Sequence, residues 1–252
     1  MPDEDATSAD ASMTWRSPWE LLRRSDFDGG LQILCEQYEL RPTAAGERKR
    51  LGIGYLWAEK YDAALAHFTI GTKLQRNCEI DFAYAGAAEW HLGNPASAIR
   101  FWRSGLKAQY AVGCRVCSMT ARLLVVASAF EPYLVSKNEA ERLLLEATER
   151  IEPSRWSGLL GRFILGQIDV SEVKQWTENR DREVKEALNW VVDFYSIARN
   201  LNHSEIDVEG FRRYILSMVE RACSESTDIK TLIHILSRPE FFLARTEAAK
   251  IG

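Results

Sequence analysis

The chain has 252 residues, 46% of them hydrophobic and 27% charged, with a formal net charge of −4. That is an ordinary globular composition with ample apolar material for a core. The acidic balance excludes a dedicated nucleic-acid binder, which carries a basic surplus, and the longest apolar run, Leu123 to Phe130, falls far short of the roughly 20 residues a bilayer-spanning helix needs.

The opening residues 1–12 carry Asp3, Glu4, Asp5 and Asp10 and no cation. They are expected to form a disordered acidic tail, with no secretory leader. Order is expected to begin at Trp15, where Ser17-Pro18 reads as a helix start. Phe27 to Tyr38 follows as a second helix. Ala45–Trp57 and Tyr61–Leu74 form the best-defined hairpin, and Ile80–Leu92 with Pro95–Lys107 form the next. Gly93-Asn94-Pro95 between the last two is a stop and restart signal. Ser118 to Phe130 is apolar on every face, which predicts a helix buried at the centre. Asn138–Ile151 reads as amphipathic. Further helices are expected from Trp156, from Ser171, over Asp181–Leu201 and Val208–Ala222, and over Thr227–Ser237 and Glu240–Ala249. Phe241-Phe242 is expected to cap the far end. No strand is predicted, so the class is all-α.

The first half repeats every 34 residues. Gly30, Ala64 and Ala98 share one phase, and the bulky Leu34, Phe68 and Trp102 share another. Gly52 and Gly86 recur together, as do Gly71 and Gly105. A glycine inside a helix costs about 1 kcal/mol against alanine, so glycines recurring in phase imply close helix crossings. Fixed-period helical hairpins cannot bury their apolar faces alone and stack into a solenoid.

These residues resemble the tetratricopeptide (TPR) family. The resemblance is carried by Leu51-Gly52-Ile53-Gly54-Tyr55, Ala64, Phe68 and Gly71, and then by Phe82, Gly86, Leu92-Gly93, Ala98, Trp102 and Gly105. Gly30, Leu34 and Pro42 carry it in the first unit. It covers about residues 25–112. Arg48 departs from the pattern, standing where the family often has Trp. The implied organisation is three TPR-like hairpins over residues 13–112 and a helical C-terminal half over 113–252 with degenerate repeats, packed together as one elongated domain.

Signals for chemistry are sparse. The four histidines, His67, His91, His203 and His234, form no zinc-protease pair. His67 and His91 sit in adjacent hairpins and could approach one another. Cys114 and Cys117 have CxxC spacing but lack a second such pair for zinc and a thioredoxin-like context for redox work. They read as structural cysteines. Five scattered cysteines fit a reducing cytoplasm. No phosphate loop is present, and no cofactor, metal or catalytic residue is expected.

By the TPR resemblance, the first helix of each hairpin lines a concave face. This selects Lys49, Arg50, Ile53 and Trp57 from one hairpin and Tyr84, Ala87, Trp90 and His91 from the next. Whether Trp57 and Trp90 belong to an open groove or to the core stays open at this level. The expectation is a non-enzymatic protein–protein interaction scaffold with one protein partner, bound at the concave face or at an end, and with no nucleic-acid or membrane partner. The phrases Trp19-Glu20-Leu21-Leu22, Tyr55-Leu56-Trp57 and Trp102-Arg103-Ser104-Gly105-Leu106-Lys107 loosely resemble bacterial TPR-like proteins that sit beside secreted toxins. That resemblance implies an immunity or antitoxin role, in which the partner is a toxin domain. The alternative is an adaptor or chaperone that grips a peptide segment.

Overall fold

A computed structural model describes residues 17–42, 45–74, 79–108, 118–202, 207–224, 226–236 and 238–251. The expected acidic tail and the Cys114/Cys117 pair lie outside the described residues. Among the described residues every regular element is a helix.

The first half is three helical hairpins: α1 (Pro18–Arg23) with α2 (Phe27–Leu40), α3 (Ala45–Trp57) with α4 (Tyr61–Leu74), and α5 (Glu79–His91) with α6 (Pro95–Ala108). One turn geometry joins each pair. Ser25, Glu59 and Gly93, 34 residues apart, each adopt a left-handed backbone with φ of 64°, 60° and 77°. The residue after each then donates its amide five residues back: Asp26 to Leu21, Lys60 to Tyr55 and Asn94 to Glu89, all within 3.0 Å. This is a Schellman closure, which satisfies carbonyls that a helix end leaves bare. Asp26 then caps α2 by accepting from the Gly29 amide at 3.0 Å.

The 34-residue phase also sets the packing. Leu34, Phe68 and Trp102 are all essentially inaccessible. Phe68 presses on Gly52 so closely that a Cβ there would sit 2.7 Å from the ring. Trp102 occupies the equivalent place against Gly86. A large ring filling the gap above a bare helix backbone lets the two helices of a hairpin cross closely.

The second half comprises α7 (Met119–Phe130), α8 (Lys137–Glu149), α9 (Trp156–Ile164), α10 (Val170–Thr177), α11 (Arg182–Asn202), α12 (Val208–Cys223), α13 (Ile229–Leu236) and α14 (Pro239–Ala248), with a short 3-10 turn over Ala249–Ile251. Residues 119–128 of α7 are buried without exception, as an all-round apolar helix requires. This helix packs against α5 and α6 on one side and α8, α9 and α11 on the other.

The chain then returns to its start. Helix α13 reaches α1, and the Arg23 guanidinium donates to the Thr227 carbonyl at 2.8 Å across 204 residues of sequence. Helix α14 lies against α5 and α12. Phe241 and Phe242 on it are fully buried, which corrects the expectation that they cap an end. They are interior because α14 is held between α5 of the first half and α12 of the second.

Candidate functional site

Of the residues expected on a concave face, Ile53, Trp57, Tyr84, Ala87 and Trp90 are buried, and residues of the α13–α14 segment pack against Trp57, Tyr84 and Trp90. Trp57 is buried, with Phe241 stacked on its ring at 5.7 Å. The Arg245 guanidinium lies 5.1 Å over the Trp57 ring, and its Nη1 donates to the Trp57 carbonyl at 3.0 Å. Tyr84 stacks on Phe68 at 4.9 Å and meets Phe242 edge-on at 6.1 Å. Its hydroxyl donates to the Leu236 carbonyl at 3.1 Å. Trp90 stacks on Trp102 at 5.6 Å, and its indole N–H donates to Glu247 Oε1 at 2.8 Å. Ile53 and Ala87 are buried core residues. These aromatics are core residues, and α14 covers them through Phe241, Phe242 and Glu247.

His91 lies half-buried, stacked on Tyr61 at 4.3 Å with an interplanar angle of 12°. Burial, reinforced by Arg245 and Lys250, pushes its imidazole down to about 3 against an opposing backbone hydrogen bond at Phe242. It is therefore neutral across the ordinary pH range. Lys49 and Arg50 are not part of the covered surface. Arg50 is exposed and pairs with Glu47 at 3.7 Å, while Lys49 is half-buried and, with Arg48, opposes the rise that burial imposes on the Asp81 carboxyl. His67 does not join His91. It sits between Tyr38 and Tyr55, with ring centroids at 5.7 and 5.3 Å.

Helix α14 is unusual for an interior helix because two carboxylates on it are fully buried. Each has built-in partners. Glu240 Oε1 accepts from Arg122 and from the Tyr195 hydroxyl, both at 3.0 Å. Glu247 accepts from Trp90 and from Arg212 at 3.0 Å, and also pairs with Lys250. A third buried carboxylate, Glu79 at the start of α5, accepts from the Thr120 amide and, at 2.8 Å, from the Thr120 hydroxyl. Elsewhere Arg48, the departure from the repeat pattern, is buried and reaches Asp81 at 3.4 Å. Charges in a low-dielectric interior persist only when paired in this way.

Cavities open beside this core among the described residues. One of about 500 Å³ opens beyond the end of α14, between Tyr61, His91, Glu131, Arg245 and Lys250. A larger one of about 910 Å³ lies on the seam where α1 meets α11 and α13, lined among others by Glu20, Arg23, Glu183, Glu186, Trp190 and Asp228. Among the described residues no three His, Cys, Asp or Glu side chains are placed to hold a metal ion, and no helix is long and apolar enough to cross a membrane.

The outer face carries a feature that the sequence reading did not single out. Leu40 at the end of α2 is 82% exposed and Leu74 at the end of α4 is 69% exposed. They are 34 residues apart and so hold the same place in successive hairpins. Ile70, one turn before Leu74, is also exposed. The Tyr38–His67 ring contact brings α2 and α4 together at one point, and Leu40 and Leu74 hold equivalent repeat positions on these two helices. Their signal was available: aliphatic residues at helix ends, out of phase with the buried stripe.

Comparison with protein-family models and with curated proteins gives no match for this chain.

Proposed function

We propose that the protein is a non-catalytic, TPR-like protein–protein interaction scaffold of the immunity or antitoxin type, which neutralises a cognate toxin by binding it stoichiometrically. The observation that carries the reading is the exposure of the aliphatic Leu40, Ile70 and Leu74 on neighbouring repeat helices. Scattered apolar side chains need no explanation, but exposed aliphatic residues recurring at equivalent repeat positions favour an interaction surface. The scaffold supports it: these residues rest on helices whose turns and crossings repeat with one geometry, so little ordering accompanies binding. The net charge of −4 favours encounter with a basic partner.

A second reading, an adaptor gripping a peptide in the concave face, draws on the aromatic lining of that face. It requires α14 to leave, since Trp57, Tyr84 and Trp90 are all engaged by the C-terminal segment.

The test is affinity capture of the tagged full chain from its native extract, read by mass spectrometry, beside the Leu40→Asp/Leu74→Asp variant. One stoichiometric partner, lost in the variant, is the expected result. Many partners sharing a short segment and indifferent to the variant would favour the adaptor. Capture of no partner would overturn both.

A further inference from the structure

The polar cluster at the centre of the molecule contains one more negative charge than it can neutralise. Glu79 of α5, Arg122 of α7 and Glu240 of α14 are all fully buried. Arg122 directs Nη2 to Glu240 at 3.0 Å and Nη1 to the Ser118 hydroxyl at 3.0 Å. The Tyr195 hydroxyl of α11 adds a second hydrogen bond to Glu240. Glu240 is thus held by a cation and a hydroxyl. Glu79 has only the amide and hydroxyl of Thr120, both on Oε1, and its Oε2 is buried with no partner. Among the described residues the charges acting on Glu79 are Arg122, which favours its ionised form, and Glu240, which opposes it. One guanidinium faces two carboxylates in the buried interior. Both carboxylates keep a bare, buried Oε2, so the one with no cation in contact, Glu79, is the one that must give way.

We propose that Glu79 holds a proton while α14 is docked over Trp57, Tyr84 and Trp90, and that loss of this proton loosens α14 and exposes the aromatic surface beneath it. The proton passes to solvent. The ionised Glu79 then repels Glu240 and competes with it for Arg122. Glu240 is the second residue of α14, so the first turn of that helix is where the strain falls. Burial pushes the Glu79 carboxyl up to about 7, against the Thr120 hydrogen bonds and Arg122, with Glu240 adding to the rise. The sign is therefore fixed. A carboxyl with a raised folded value stabilises the docked state at low pH, and that stability is lost as pH rises from the ordinary carboxylate range through about 7. Once α14 is loosened, Trp57, Tyr84 and Trp90 become available as a second binding surface, distinct from the Leu40–Leu74 edge.

Hydrogen–deuterium exchange of the full chain tests this, with labelling times scaled for the intrinsic pH dependence of amide exchange. Between pH 5.5 and 8.5 the amides of residues 240–248 should lose protection on the order of tenfold or more, while those of α3 and α4 should not. Glu79→Gln keeps an acceptor for Thr120 and cannot ionise, so its α14 protection should stay flat across the range. Unchanged α14 protection in the wild-type chain would overturn the proposal without any variant. So would a Glu79→Gln variant that loses protection as the wild type does.

Discussion

Gly86 is bare because Trp102 occupies the place its side chain would take. A Cβ at position 86 would lie 2.6 Å from both Cδ1 and Cε2 of the indole, whose N–H donates to the Ala83 carbonyl at 3.1 Å. The pair therefore predicts coupled behaviour. Gly86→Ala should lose about 1–3 kcal/mol from overpacking, although alanine is favoured in a helix by about 1 kcal/mol. Trp102→Ala should lose about 3–5 kcal/mol. With the indole gone, Gly86→Ala should become neutral or stabilising. Urea unfolding of the two single variants and the double variant measures this, and equal Gly86→Ala effects in both backgrounds would refute it.

The left-handed turn residues predict opposite effects of introducing and of removing a glycine. Ser25 and Glu59 adopt a backbone that suits glycine, which Gly93 supplies in the third hairpin. Ser25→Gly should raise stability by up to about 1 kcal/mol, and Gly93→Ala should lower it by about 1 kcal/mol. Thermal unfolding reads both. A loss in Ser25→Gly would mean that the serine side chain compensates for its backbone.

The repeat hairpins were legible in the sequence because a small residue, a large ring and a turn recur at one spacing. The observed bounds of α3 and α4, Ala45–Trp57 and Tyr61–Leu74, are those that the periodicity predicts. The turn geometry was hidden at Ser25 and Glu59, where no glycine marks it. The covering of Trp57, Tyr84 and Trp90 was hidden for a different reason. Helix α14 carries Glu240, Arg245 and Glu247 among its aromatics, and such a mixture reads as a surface helix. Only the distant partners Arg122, Tyr195, Arg212 and Trp90 make its interior position tolerable, and no local pattern announces pairings across 35 to 157 residues.

Glu247 is the clearest test of that pairing. Its removal in Glu247→Ala would leave the Trp90 indole N–H and the Arg212 guanidinium without their acceptor. The loss should be about 2–3 kcal/mol, below that of a wholly buried pair because Arg212 and Lys250 reach solvent. Urea unfolding should show it, whereas a variant as stable as the wild type would mean that the interaction contributes nothing net.

Acid stability should depend on His91. Its folded value of about 3 lies below the ordinary 6.5, so the unfolded chain takes up a proton that the folded chain refuses. The stability is present above about 6.5 and is lost as pH falls from there towards about 3. His91→Phe keeps a ring against Tyr61 and removes the titration. Its stability should therefore fall less steeply than the wild type's between pH 6 and pH 4.5 in chemical denaturation. Identical slopes would contradict the buried, neutral imidazole.

The exposed edge predicts a separation of binding from stability. Leu40 and Leu74 make their substitutions at the surface, so Leu40→Asp and Leu74→Asp should each change stability by no more than about 0.5 kcal/mol while weakening partner capture. A variant that unfolds would show that these side chains belong to the core.

The most direct measurement is a hydrogen–deuterium exchange footprint of the full chain with its captured partner at neutral pH. Binding at the outer edge predicts new protection over residues 36–42 and 69–74, with residues 239–248 unchanged. Protection of α3 and α5 accompanied by faster exchange in α14 would contradict it and place the partner in the concave face.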